Sequence, residues 1–290
     1  LLAEPPRIVD DGTRREAPSG TLRLTGVGYR YEGQAEPALA EIDIELPAGA
    51  VLGIVGPTGA GKSTLLRLLL RHDDPETGRI EWGGVPIGEY RLAALRGAIG
   101  WVPQEPFLFS ATIAQNIALA RPDASEAEIA AAARLADLDA DIARLPDGYR
   151  TMVGERGVTL SGGQRQRVAI ARMLLADAAL MLLDDALSAV DTGTETRILA
   201  HLRKATRGRS LVVVSHRLSA VIDADEIIVL RGGRIVERGT HASLLAADGW
   251  YASQWRYQQL QASLDGEASS VAAPGRADAH GGAAGRRRSS

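Results

Sequence analysis

The chain has no cysteine, only two phenylalanines and, among 33 basic residues, only two lysines, Lys62 and Lys204. Without thiols there are no disulfides and no thiolate metal sites, a usage that fits a reducing compartment. No run approaches the roughly 18 to 20 apolar residues that span a bilayer. The most apolar region, Val168 to Leu183, is interrupted by Arg172 and Asp177. A strong charge of one sign is missing too: a formal net charge of -3 argues against a general nucleic-acid binder, and no nucleic-acid partner is expected. No secretory signal opens the sequence, which begins at Leu1. It reads as a fragment of something longer, with any membrane part upstream or on another chain. What is present, 290 residues with 45% hydrophobic and 24% charged, suits one large or two modest globular domains with a real core.

One of the two lysines closes Gly56-Pro57-Thr58-Gly59-Ala60-Gly61-Lys62-Ser63-Thr64, which has the phosphate-loop spacing G-x-x-x-x-G-K-[ST]. The apolar run Val51 to Val55 before it reads as a buried strand, and Leu65, Leu66, Leu68, Leu69 and Leu70 after it continue an apolar helix. Strand, glycine loop and helix start aim backbone N–H groups and the positive end of a helix dipole at one spot, where a triphosphate sits. A composition that uses arginine almost everywhere keeps lysine here, where a slim ammonium fits between phosphate oxygens and a planar guanidinium does not.

Residues 1–20, rich in Pro, Arg and acid, read as an extended linker. Leu22, Leu24 and Val27 alternate toward Tyr29 and Tyr31, and Ile42, Ile44 and Leu46 alternate likewise, as in edge strands. Arg79 to Trp82 and Ile99 to Val102 are further strands. From Gln104 to about Asp177 the texture is helical, with a capping box at Ser125-Glu126-Ala127-Glu128 and a helix start after Ser161-Gly162-Gly163. Strands at Leu180 to Leu183, Leu211 to Val214, Ile227 to Leu230 and Arg234 to Glu237 follow, with a helix from Thr194 to Ala205. Trp250, Tyr251, Trp255 and Tyr257 lie on a last helix as a packing cluster. From 261 to 290 no apolar period survives, and a disordered tail is expected.

Met181-Leu182-Leu183-Asp184 is an apolar strand ending in a carboxylate, the place of the Mg²⁺-holding acid in phosphate-loop folds, with Ser63 as hydroxyl ligand. Leu160-Ser161-Gly162-Gly163-Gln164 puts a serine at a helix start, with two glycines leaving backbone N–H groups bare. It forms a second anion site unless it is a plain N-cap. Lying within a separate helical insertion, it cannot easily close on its own phosphate loop. Two subunits head to tail, each capping the other's nucleotide, is the economical geometry.

With these motifs in order, from about Thr21 to Leu260, the chain resembles the nucleotide-binding domain of an ABC transporter of the exporter type. The resemblance implies an α/β fold: a P-loop NTPase core with an antiparallel β-subdomain and an α-helical insertion over about 104–177, within a domain spanning 21–260. It implies ATP and Mg²⁺ as ligands, with Ser63, Gln104 and Asp184 at the metal. Tyr31 matches the aromatic position that stacks on adenine, Gln104 the glutamine that senses Mg²⁺ and water, and His216 the switch histidine at the γ-phosphate. Glu155 matches the loop before the signature in exporters. Ser161, Gly162, Gly163, Gln164 and Asp191 match positions that contact the partner subunit's nucleotide. The implied partners are a second nucleotide-binding domain and the transmembrane domain of the same full-length chain, at the cytoplasmic face of the plasma (inner) membrane.

One position departs from the pattern. Where the family usually has Glu after the metal-binding acid, this chain has Asp185, one methylene shorter. A slow site of its own follows, with an intact signature left to serve a partner, as in one half of the bacterial multidrug-resistance-like heterodimers. Asp185 acting adequately in a homodimer is the alternative; a regulatory nucleotide module that hardly hydrolyses is a second, and a soluble ABC-type ATPase of DNA maintenance a third. Phe107 and Phe109 either line a groove for the membrane domain or bury in the helical insertion.

Overall fold

The computed structural model describes residues 8–154, 158–205 and 208–271. In chain order its strands and helices are β1 Leu22–Tyr29, β2 Leu39–Leu46, β3 Val51–Val55, α1 Lys62–Leu69, β4 Thr77–Trp82, β5 Val85–Pro86, α2 Leu92–Gly97 and β6 Ile99–Val102. There follow β7 Ala111–Thr112, α3 Ile113–Ile117, α4 Glu126–Leu135, α5 Asp139–Ile142, β8 Met152–Val153, α6 Gly162–Leu175 and β9 Leu180–Asp184. The chain closes with α7 Thr192–Ala205, β10 Ser210–Val214, β11 Glu226–Arg231, β12 Arg234–Gly239, α8 His241–Ala246 and α9 Trp250–Val271.

A six-stranded sheet in the order β12-β11-β3-β10-β9-β6 forms the centre, parallel except for the edge strand β12. Its inner strands are continuous apolar runs because both faces are covered. On β9, Leu180 and Leu182 face the core shared with α1 and the antiparallel sheet. Met181 and Leu183 face the core shared with α3, α4 and α6. The second sheet, β2-β1-β4-β5, is antiparallel and supplies Tyr29 and the following turn to one side of the phosphate loop. The expected α/β architecture, with an antiparallel subdomain and helices between β6 and β9, is the observed one.

Several local expectations change. The region after Gln104 is not helical throughout, since β7 and β8 form a two-stranded ladder inside it. The first twenty residues are not a free linker along their whole length. Asp10 accepts from the Leu92 amide at 2.9 Å, Asp11 lies 3.6 Å from Arg71, and the Thr13 and Arg14 amides donate to the Glu89 carbonyl. Helix α9 continues to Val271, beyond the point near 261 where the sequence pattern ends; residues 272–290 lie outside the described residues, as does Glu155. In the aromatic cluster Tyr251 is fully buried, whereas Tyr257 is exposed.

The turn from β3 into α1 depends on glycine at one position above all. Gly56 has φ 149, and a Cβ there would stand 2.1 Å from the Leu230 carbonyl oxygen, a backbone atom that cannot swing away. Gly56→Ala should therefore destabilise the chain by about 3 kcal/mol or more. Thermal melting checks this; an unchanged melting temperature would contradict the close approach.

Candidate functional site

Ordered as the sequence demands, the phosphate loop leaves β3, turns through Gly59 and Gly61 in left-handed conformations, and enters α1 at Lys62. The Lys62 ammonium reaches back over the loop, donating to the carbonyls of Gly56 at 2.8 Å and Pro57 at 2.9 Å. Burial lowers its pKa, opposed by the nearby carboxylates of Asp185 and Asp184. Lys62 is thus a half-buried cation folded over the loop, with only neutral carbonyl acceptors of its own.

Below the loop, the Ser63 hydroxyl donates to the Asp184 carboxylate at 3.2 Å. Asp184, at the end of β9, is only 8% exposed. Its pKa is raised, first by burial and then by Asp185, while Ser63 and Lys62 oppose the rise. Next to it, Asp185 takes a left-handed backbone conformation, φ 50, unusual for a residue other than glycine. The two carboxylate oxygens of Asp185 lie 2.7 and 2.9 Å from Nδ1 of His216.

An open cleft of about 700 Å³ brings these groups together. Its lining includes Tyr31, Thr58 to Thr64, Gln104, Asp184, Asp185 and His216, together with Gln34 and Glu36, which sequence reasoning missed. Gly56 and Pro57 enter the same arrangement through their carbonyls. Tyr31 stands edge-on to Tyr29 at 5.0 Å and shares a hydrogen bond with the Thr64 hydroxyl at 3.0 Å. Its phenol is tied to the first turn of α1 and its ring faces the cleft wall. No periodicity signals this tie, because thirty-odd residues of turn and strand separate the two.

Ser161 to Gln164 stay outside that cleft. Ser161 is exposed and caps α6: its hydroxyl accepts from the Gln164 amide at 3.2 Å, and the Gln164 side chain accepts from the Ser161 amide at 2.9 Å. Gly162 lines a separate cavity that also touches Gln104, Ser188 and Ala189. Gly163 has a packing reason as well, since a Cβ there would meet the Ala189 carbonyl oxygen at 2.7 Å. Asp191 is likewise away from the cleft and caps α7 through the Thr194 amide at 3.0 Å. The residues joining these parts gave no sequence signal. Buried Gln166 donates to the Gln104 carbonyl and the Ser188 hydroxyl and accepts from the Ala189 amide. Arg217 donates to the carbonyls of Ser188 and Val190 and to Glu195.

The sequence model described as "ABC transporter" matches residues 39–188, just over half of the chain and the stretch from the phosphate loop to Ser188. The chain belongs to the ABC transporter family. Among ABC proteins it is 48% identical over 266 residues to "Multidrug resistance-like ATP-binding protein MdlA" of Escherichia coli (strain K12), covering 91% of this chain and 45% of that protein. It is 44% identical over 249 residues to "Probable multidrug resistance ABC transporter ATP-binding/permease protein YheI" of Bacillus subtilis (strain 168), covering 86% and 43%. A solved bacterial Atm1-family ABC exporter with ATP bound matches with TM-score 0.82 at 43% identity, over 87% of this chain and 44% of that one. The chain therefore spans less than half the length of these ABC relatives.

For an ABC domain, the donor set below the phosphate loop suits a hard cation. A buried carboxylate whose charge burial disfavours, beside a serine hydroxyl, asks for a positive charge with oxygen ligands. No group of three or more acidic or histidine side chains that could hold a metal exists among the described residues. Phe107 and Phe109, edge to face at 5.0 Å, are exposed rather than buried in the helical insertion. Phe107 lines a groove of about 410 Å³ with Leu108, Val153 and Leu160.

Proposed function

We propose that this domain is the ATP-hydrolysing motor of an ABC exporter, with a slow site of its own, working head to tail with a second nucleotide-binding domain. The observation that carries it is the division of the motif residues. Those expected to touch one triphosphate surround a single cleft, and Ser161 to Gln164 lie outside its lining, with Ser161 exposed to solvent.

In this reading the adenine lies on Tyr31, the amides of Gly59 to Thr64 and the Lys62 ammonium hold the β- and γ-phosphates, and Gln104 and His216 face the γ-phosphate. Ser63 and Asp184, with Gln104 nearby, hold Mg²⁺, which neutralises phosphate charge when bound. Asp185 orients the attacking water poorly, because its short side chain is engaged by His216. Ser161, Gly162, Gly163, Gln164 and Asp191 meet the nucleotide of the facing protomer. The Ser161 hydroxyl accepts one hydrogen bond from Gln164 and keeps its own proton to donate to a phosphate oxygen, so capping and sealing are compatible. The facing domain is the other half of a heterodimeric exporter. A transmembrane domain on the full-length chain sets the location at the cytoplasmic face of the membrane, with the exposed Phe107 groove toward it. A second reading, a regulatory module that hardly hydrolyses, is favoured by the contact of both Asp185 oxygens with His216.

Asp184→Asn tests the reading. The folded state raises the Asp184 pKa, so its stabilising influence is fully present below the ordinary aspartate pKa and is lost as pH rises through the raised value. At neutral pH the buried charge is unfavourable, and its neutral isostere should raise the melting temperature of the nucleotide-free chain. The same change should weaken Mg²⁺-dependent ATP retention by about tenfold or more. A chain that binds no ATP, or an Asp184→Asn chain with unaltered Mg²⁺ dependence, would defeat the assignment.

A further inference from the structure

His216 leaves β10 on a very short loop, since Val214 ends the strand and a 3-10 turn begins at Leu218. Neighbouring groups have partners of their own. The Ser215 amide donates to Ile54, the Arg217 amide donates to the Ser215 hydroxyl, and the Arg217 guanidinium crosses to the 188–190 loop. The His216 carbonyl and the Leu218 amide are both held by one residue. Gln258, on α9, donates from Nε2 to the His216 carbonyl at 2.8 Å and accepts at Oε1 from the Leu218 amide at 2.9 Å. One planar amide thus bridges a C=O and an N–H two residues apart, fixing the peptide planes on both sides of Arg217.

The helix that presents Gln258 is itself anchored. Glu237 accepts from the Trp250 and Tyr251 amides at its start. Tyr251 is fully buried, its hydroxyl 2.8 Å from His241 Nδ1, and Trp255 stands edge-on to the His241 ring at 4.7 Å. Gln258 is thus presented from a helix whose first turn is fixed. Of the four side chains just named, none lines the nucleotide cleft, nor does Gln258.

We propose that Gln258 is a positioning residue for ATP hydrolysis: by clamping the main chain on either side of Arg217 it keeps the His216 ring directed at the γ-phosphate, and ties the C-terminal helix to the switch loop. The inference rests on the proposed role of His216. A freed loop lets the imidazole drift by a fraction of an ångström to an ångström, a displacement large enough to slow chemistry by about tenfold while leaving the phosphate loop intact.

The experiment is single-turnover ATP hydrolysis by the full chain, in excess over nucleotide, for Gln258→Ala, His216→Ala and the double variant. ATP affinity, melting temperature and hydrogen exchange at the Leu218 amide are measured on the same samples. Gln258→Ala should hydrolyse about tenfold more slowly with ATP affinity within about twofold. Its Leu218 amide should exchange faster, and in the His216→Ala background it should cause no further loss. Gln258→Glu separates the two hydrogen bonds, keeping the acceptor for Leu218 but not the donor to His216. It should retain protection at Leu218 and still hydrolyse slowly. A slow His216→Ala chain with a Gln258→Ala chain at the wild-type rate, or multiplicative losses in the double variant, would overturn the inference alone. His216→Ala at the full rate would remove the role of His216 and the inference with it.

Discussion

Asp185→Glu should raise hydrolysis at the site built on this chain's own phosphate loop by about a hundredfold. Asp185 stands where the water-orienting carboxylate belongs, but its reach is short and both of its oxygens are on one side, 2.7 and 2.9 Å from His216 Nδ1. Its backbone is fixed by a left-handed φ of 50 and by donation of its amide to the Val214 carbonyl at 2.9 Å. The main chain therefore cannot advance to make up the missing methylene. A displacement of about 1 Å at a reacting group is worth about a hundredfold in rate, and glutamate restores that length. ATP affinity should change little, because the Lys62, Ser63 and Tyr31 contacts are untouched. Single-turnover phosphate release reads the result. Equal rates for the two chains would mean that Asp185 is an adequate base, and the slow-site reading would fail.

Ser161→Asp should abolish cooperative turnover in the assembled protein, by about a hundredfold or more, without unfolding the chain or weakening ATP binding at its own loop. Aspartate caps a helix as well as serine does, so α6 keeps its start. What changes is charge. A carboxylate replaces a hydroxyl that still has a proton to give, and a like charge brought against a phosphate costs several kcal/mol. Because Ser161 does not line the cleft of its own chain, the damage should fall on the facing protomer's nucleotide. Melting temperature and nucleotide affinity of the isolated variant provide the control. Full turnover by Ser161→Asp assemblies would leave Ser161 as a helix cap and nothing more.

Much of this was legible because the relevant physics is local. The phosphate loop is nine consecutive residues flanked by an apolar strand and helix, and β9 and β10 betray their double burial as unbroken apolar runs. The capping box at Ser125 and Glu128 formed as its spacing implied. The misses are non-local or too short to carry a period. Two-residue strands such as β7 and β8 have no alternation to detect. The burial of Gln166, the reach of Arg217 to the 188–190 loop and the Gln258 clamp exist only after distant segments meet. Helix α9 outruns its apolar pattern because a helix anchored through Tyr251 needs only favourable propagation to continue. At Phe107 and Phe109, hydrophobicity suggested burial as readily as exposure, and only the fold put both rings at the surface.

The most direct measurement is the distance from the Ser161 Oγ to the nearest phosphate oxygen in the assembled protein loaded with Mg²⁺ and ATP. The expected result is a hydrogen bond of about 3 Å to a γ-phosphate held by the phosphate loop of the opposite protomer. A Ser161 hydroxyl engaged only with the Gln164 amide of its own helix, and far from every phosphate, would contradict it.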